Sequence, residues 1–297
     1  MLIVDELGDS SKWQNLVGKA YLDYLHKDAF LPALAQGKFK GNISGIVHMG
    51  ACSSTTETDA DFLLENNFRY TQQLAEHCLE RNIRFIYASS AATYGDGSLG
   101  YSDADDDQET FRPLNRYGYS KQLFDLWAIR NNVQNDLVGL KFFNVYGPNE
   151  YHKGSMQSVV HRAYHQVKNE GSVKLFRSYR PDYKDGEQKR DFIYVKDCVE
   201  VMWWLLNHSN TNGIFNLGTG KARSWNELAS GVFAALGKDP NIEYIDMPEN
   251  LRHQYQYFTE ATMTKLEESG CPLPHYSLEE GIQDYVQQHL EKEWPYY

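Results

Sequence analysis

The amino-acid sequence predicts an α/β fold, a doubly wound parallel sheet with a smaller C-terminal lobe. Three observations carry this. Short runs rich in Val, Ile and Phe alternate with stretches of helical period. The runs are near-continuously apolar, as strands covered on both faces must be. After Gly147-Pro148 the alternation loosens, which sets off the lobe.

In chain order, the first strand is Leu2-Ile3-Val4, closed by Asp5. The second is Ile46-Val47-His48, leading into Gly50-Ala51-Cys52-Ser53. Phe85 to Ala88 and Leu137 to Phe143 follow, with helical patterns around 60–81 and 117–131 between them. Strand–helix–strand crossovers of one hand wind such strands into a Rossmann-like sheet. Beyond residue 150 the pattern predicts a helix over 156–169 and a polar loop over 177–190. A strand at Phe192 to Val195 then leads into a helix carrying Trp203 and Trp204, and a strand at Ile214 to Leu217 stops at Gly218-Thr219-Gly220. The division is residues 1–150, which also receive strands from about 191–220, and residues 151–297 as mainly the lobe.

Composition narrows the function. Of 297 residues, 41% are hydrophobic and 23% charged, ordinary for a soluble globular chain. A formal net charge of -11 argues against a nucleic-acid binder, which carries a basic face. Four scattered cysteines form no CxxC pair and read as reduced thiols of the cytoplasm. No apolar run reaches spanning length and no signal-peptide pattern is present, so no membrane role is expected.

The strongest chemical signal is Tyr117-Gly118-Tyr119-Ser120-Lys121 at the start of a predicted helix. A tyrosine and a lysine four apart share one helical face. The ammonium is expected to lower the phenol's pKa and so make it a usable acid/base. Upstream, Ser89 and Ser90 stand at a strand's carboxyl end, where open α/β sheets place ligands. Ser89 reads as a cap or turn residue and Ser90 as a catalytic candidate. A second strand end gives Asn144-Val145-Tyr146-Gly147-Pro148, followed by His152-Lys153-Gly154-Ser155-Met156. His161 and His165 share a helix face, but Arg162 stands where a metalloprotease needs Glu, so no metal is expected. No G-x-S-x-G elbow supports a hydrolase.

In sequence order, ACSSTTE (Ala51 to Glu57), YASSAATYG (Tyr87 to Gly95), YGYSK, FNVYGP, HKGSM, KRDF (Lys189 to Phe192) and NLGTG (Asn216 to Gly220) resemble one family closely. It is that of the ADP-glyceromanno-heptose 6-epimerases, extended short-chain dehydrogenase/reductases. The resemblance runs over nearly the whole chain, and ACSSTTE with HKGSM is its most specific part. It implies a truncated dinucleotide-binding domain, a substrate-binding lobe, and inversion at one carbon of an ADP-linked heptose for the lipopolysaccharide inner core. By position, it implies Tyr117 as acid/base, Lys121 as its cofactor-binding partner, Ser90 at the reacting hydroxyl and Lys153 as second acid/base. Asp5, Glu6, Lys12, Lys27, Met49, Gly50, Ala51, Cys52, Ser53, Asn66 and Val145 match cofactor positions, with Lys121 and Lys153. Asn144, Ser155, Arg162, Arg190 and Tyr255, with Ser90, match substrate positions. A homo-oligomer is implied, with a pentamer the assembly suggested.

The sequence departs from the family pattern at its start, where it opens on what reads as the second strand, without the Gly-rich phosphate loop. A gapped sheet is therefore expected. Glu6 beside Asp5 disfavours a 2'-phosphate, whereas Lys12 and Lys27 argue the other way; the resemblance implies NADP as the cofactor, with NAD as the alternative. Another nucleotide-sugar epimerase or dehydratase, or a non-catalytic binder, are the competing readings.

Overall fold

The computed structural model describes residues 1–39, 41–252 and 255–297. The chain begins with β1 (Leu2–Asp5), a 3₁₀ turn (Ser11–Leu16), β2 (Asp23–His26), α1 (Lys27–Ala35) and β3 (Gly45–His48). A continuous helical stretch follows, made of α2 (Ala60–Leu63), a π-helical segment (Leu64–Arg69) and α3 (Tyr70–Arg81). Then come β4 (Arg84–Ser90), α4 (Arg116–Arg130), β5 (Val138–Phe142) and β6 (Asn144–Tyr146). The second half holds α5 (Val159–Asn169), β7 (Val173–Phe176), β8 (Lys189–Tyr194), α6 (Val195–Asn207), β9 (Gly213–Leu217) and β10 (Ala222–Ser224). It closes with α7 (Trp225–Ala235), β11 (Ile242–Ile245), α8 (Glu249–Arg252), α9 (Thr264–Glu268) and α10 (Leu278–Tyr285).

The central sheet is parallel, in the order β3-β4-β5-β9. β1 pairs with β2, also in parallel, as a separate ladder. The expected gap in the sheet thus falls between β1 and β3. The two ladders still share one core: Leu2, Val4 and Leu25 pack with Ile46, Phe85 and Tyr87. A second core under α6 joins Ile86, Val138, Leu140 and Phe215. β4 and β5 are therefore covered on both faces, as their near-continuous apolar runs require.

The lobe has its own core around Tyr146, Tyr194, Phe233 and Tyr285. β8 does not join the central sheet but lies between β6 and β10. Of the strands expected near 191–220, β9 alone enters the central sheet. The helix expected from 156 begins at Val159, because Gly154 turns the chain at φ 52° and Ser158 caps, accepting from the His161 amide. Val195, expected to end a strand, opens α6 instead. No helix among the described residues is long and apolar enough to cross a membrane.

Candidate active site

Helix α4 brings the tyrosine–lysine pair to the sheet. Asn115 caps it, accepting from the Gly118 amide at 2.8 Å. Gly118 is required by close approach: a Cβ there would stand 2.7 Å from the Ala92 carbonyl oxygen. That contact lays the first turn of α4 against the 3₁₀ turn (Ala91–Tyr94) that follows β4. Lys121 is buried and donates to the Ala88 carbonyl on β4 at 2.8 Å.

Ser90 caps the 3₁₀ turn, its hydroxyl accepting from the Ala92 amide at 3.1 Å. Ser89 is no cap, contrary to expectation: its hydroxyl is buried and donates to Asp125 at 2.6 Å. The Tyr117 phenol is pushed up in pKa by burial, and the neighbouring Ser90 hydroxyl works against that shift. The lowering by lysine expected from the spacing is not seen: burial sets the direction and Lys121 contributes nothing to it. Lys121 itself is lowered to about 8 by burial, with Asp125 and then Cys52 opposing.

The strand end after β3 approaches this pair. Met49, Ala51 and Cys52 are half-buried, while Gly50 and Ser53 are exposed. Both backbone groups of Cys52 are held by the Asn67 amide at 2.9 Å, and Asn67 also donates to Ser120 at 3.0 Å. Asn67 sits in the π-helical segment and was not singled out by the sequence; its neighbour Asn66 was. The proximity of Cys52 to Tyr117 and Lys121 brings the Met49–Ser53 segment and the tyrosine–lysine pair together.

The other expected cofactor residues gather at the ends of β1 and β2. Lys12 pairs with Asp5 at 2.5 Å, and Lys27 pairs with Glu6 at 3.0 Å while donating to Asn66 at 2.9 Å. Lys27 holds the Glu6 carboxyl below the usual range. A cleft of about 650 Å³ between α1 and the α2–α3 stretch is lined by Lys27, Leu31, Phe62, Asn66 and Tyr70, away from Tyr117.

Lys153 is exposed on a 3₁₀ turn (Tyr151–Met156), and so is Ser155. Asn15 fixes this turn, donating to the Asn149 carbonyl at 3.2 Å and lying 3.5 Å from the His152 ring. Among the described residues no hydrogen bond joins Lys153 to Tyr117 or Ser90. Asn144 is exposed and Val145 half-buried on β6. Arg190 is buried between Tyr255, 5.1 Å from its ring, and Trp225 at 5.7 Å, and it donates to the Lys189 and Gln256 carbonyls. It makes no ion pair with Asp191, whose carboxylate accepts from Thr219, Gly220 and Ala261 instead. Arg162 is exposed on α5. Asp197, Glu200 and His275 lie close enough to hold a cation, but the buried Asp197 already accepts from the His275 and Tyr276 amides.

A family model described as "NAD dependent epimerase/dehydratase family" matches residues 2–218. The chain belongs to that family. Within it, the chain is 58% identical over 296 residues to an ADP-L-glycero-D-manno-heptose-6-epimerase of Nitratidesulfovibrio vulgaris, covering 100% of this chain and 92% of the relative. It is 50% identical over 305 residues to the Fusobacterium nucleatum protein of the same name, again covering 100% and 92%. The crystal structure of the Helicobacter pylori ADP-L-glycero-D-manno-heptose-6-epimerase superposes with a TM-score of 0.81 at 28% identity, covering 97% of this chain and 86% of that one.

Proposed function

We propose that the chain inverts the C6'' centre of ADP-D-glycero-D-manno-heptose to the L-glycero form, supplying the heptose precursor of the lipopolysaccharide inner core. The substrate class follows from the names of the relatives. The observation that carries the chemistry is the meeting of Tyr117, Lys121 and Ser90 at the carboxyl end of β4. Inversion at a carbon bearing a hydroxyl needs a proton taken and later returned. Tyr117 holds that proton, Ser90 orients the hydroxyl, and Lys121 supplies the nearby positive charge. Lys153 returns the proton from the other side, on a turn that Asn15 keeps in place. Arg190, framed by Tyr255 and Trp225, meets the diphosphate with a planar fork, and Asn144, Ser155 and Arg162 contribute polar contacts.

The residues at the ends of β1, β2 and β3 fit a nicotinamide dinucleotide, and we infer NADP rather than NAD. When bound, it supplies a reversible hydride acceptor. Asp5 and Glu6 would repel a 2'-phosphate, but each is matched by an ammonium, Lys12 or Lys27, within hydrogen-bond reach. The paired lysines thus support the phosphorylated cofactor.

The deciding experiment is turnover of ADP-heptose with NADP by wild type, Tyr117→Phe and Lys153→Met at saturating substrate. Each variant should lose roughly 10²–10⁴-fold in kcat, the usual worth of a positioned acid/base. No turnover by wild type with either cofactor would reject the reading, and near-normal kcat in Lys153→Met would remove Lys153 from the proton chemistry. Self-association, implied by the resemblance, is checked by light scattering on the same sample.

A further inference from the structure

Beneath the tyrosine–lysine pair lies a group of polar side chains with no assigned task. Lys141, on β5, and Asp125, on α4, pair at 2.6 Å with neither side chain exposed. The Asp125 carboxylate also accepts from the Tyr87 hydroxyl at 2.9 Å and the Ser89 hydroxyl at 2.6 Å. Lys141 in turn donates to the Thr93 hydroxyl at 2.8 Å, and Thr93 donates to the Ser90 carbonyl at 2.8 Å. One unbroken path therefore runs from α4 through β5 to the backbone of Ser90.

Stability alone does not account for it. Taking two charges out of water costs more than their attraction returns unless every remaining valence is filled, and a well-packed apolar pair serves as well or better. What an apolar pair lacks is direction. Hydrogen bonds fix the angle and distance between α4 and the Ser90 turn, where apolar contact leaves them free to slide. Asp125 stands one helical turn after Lys121 and two after Tyr117, all on one face.

We propose that the Asp125–Lys141 pair, through Thr93, is a positioning device that locks the Ser90 turn against α4 and so fixes where Tyr117 and Lys121 stand relative to Ser90. The inference rests on the epimerase reading for its kinetic test, though not for its geometry. The same carboxylate helps Lys121 keep its proton. Among the described residues, the charged and titratable groups felt at Lys121 are Asp125, one turn on along α4, and His48 and Cys52 from β3 and the loop after it.

The test replaces both charges at once, as Asp125→Leu with Lys141→Met, so that no lone charge is buried. The folded double variant should lose roughly 10–100-fold in kcat, the effect of slight misplacement, with KM little changed. The alkaline limb of its kcat profile should move to lower pH. Thr93→Val should show a smaller loss of kcat, and Thr93→Ser should restore it. A folded double variant with wild-type kcat and an unshifted limb would overturn the proposal. If the double variant does not fold, the Thr93 pair decides: Thr93→Val indistinguishable from Thr93→Ser would overturn it. The Lys121 ¹³Cε resonance, titrated in the free protein, gives a readout independent of turnover, through the double variant or, should that not fold, Asp125→Asn. Its midpoint falls on loss of the Asp125 charge if the pair acts as argued, and stays in place if it does not. An inactive wild type with a shifted midpoint would therefore reject the epimerase reading and uphold the pair.

Discussion

Lys141 meets Asp125 at 2.6 Å under α4 with neither side chain exposed, whereas Lys12 meets Asp5 at 2.5 Å with 29% and 36% of the side chains exposed. The two contacts are alike in length and opposite in surroundings. Under the helix, Tyr87, Ser89, Thr93 and Lys141 all donate to fixed protein partners and neither charge reaches the surface, so charge holds geometry. At the ends of β1 and β2, the lysines keep part of their solvent and can trade a carboxylate for an incoming anion at little cost. Burial, rather than pairing, separates a structural ion pair from one suited to ligand exchange.

The contrast is broken most directly by removing one partner at each place. Lys141→Met strands a buried carboxylate and should lower unfolding stability by about 3–5 kcal/mol, read from urea denaturation. A loss below about 1 kcal/mol would mean that water reaches the site.

Next in size is a pH effect at His48, near Lys121. His48 contacts Thr71 at 2.9 Å, stacks near Phe85, and is lowered in pKa to about 3 by burial and then by Lys121. The unfolded chain, near 6.5, binds the proton more readily, so stability present above pH 6.5 drains as pH falls towards 3. The integrated loss is about 4 kcal/mol, and His48→Gln should flatten that part of the stability profile. An unchanged acid slope in the variant would place the titration elsewhere.

Arg190→Lys tests the lobe. It keeps the charge but loses the planar fork, and should weaken ADP-sugar binding by roughly 1.5–3 kcal/mol in calorimetry. The smallest effect belongs to the exposed end: Lys12→Met should change stability by about 0–1 kcal/mol while raising the KM for NADP more than that for NAD. Equal changes for both cofactors would argue that Lys12 does not meet the 2'-phosphate.

The sequence makes α4 and its strands legible because their signals are local. β4 and β5 are near-continuous apolar runs, and Tyr117 and Lys121 lie on one helical face. β2 and α1 are hard to see because Asp23-Tyr24-Leu25-His26 is half polar and Pro32 sits inside the helix. Among the described residues β7 and β11 pair only with each other, so neither needs a continuous apolar run. The Asp125–Lys141 pair is hidden for another reason. A lysine in an apolar strand reads as an edge position, and its partner, 16 residues earlier, is joined to it only by the fold. One trace was available, since Asp125 repeats the four-residue spacing of Tyr117 and Lys121. The role of Asn67 depends on the π-helical segment, which no periodicity in the sequence announces.

The aromatic frame around Arg190 has an optical consequence. The Trp225 indole donates to the Tyr255 hydroxyl at 2.9 Å and lies edge-on to Phe192, with the guanidinium beside its ring. Its emission senses the field of that cation, and an anion taken up by Arg190 partly cancels the field. Trp225 is thus a built-in fluorophore for occupancy of the lobe. Among six tryptophans, its share of the signal is the part that Trp225→Phe removes, so titrating both proteins with ADP would follow binding in a single cuvette without any label.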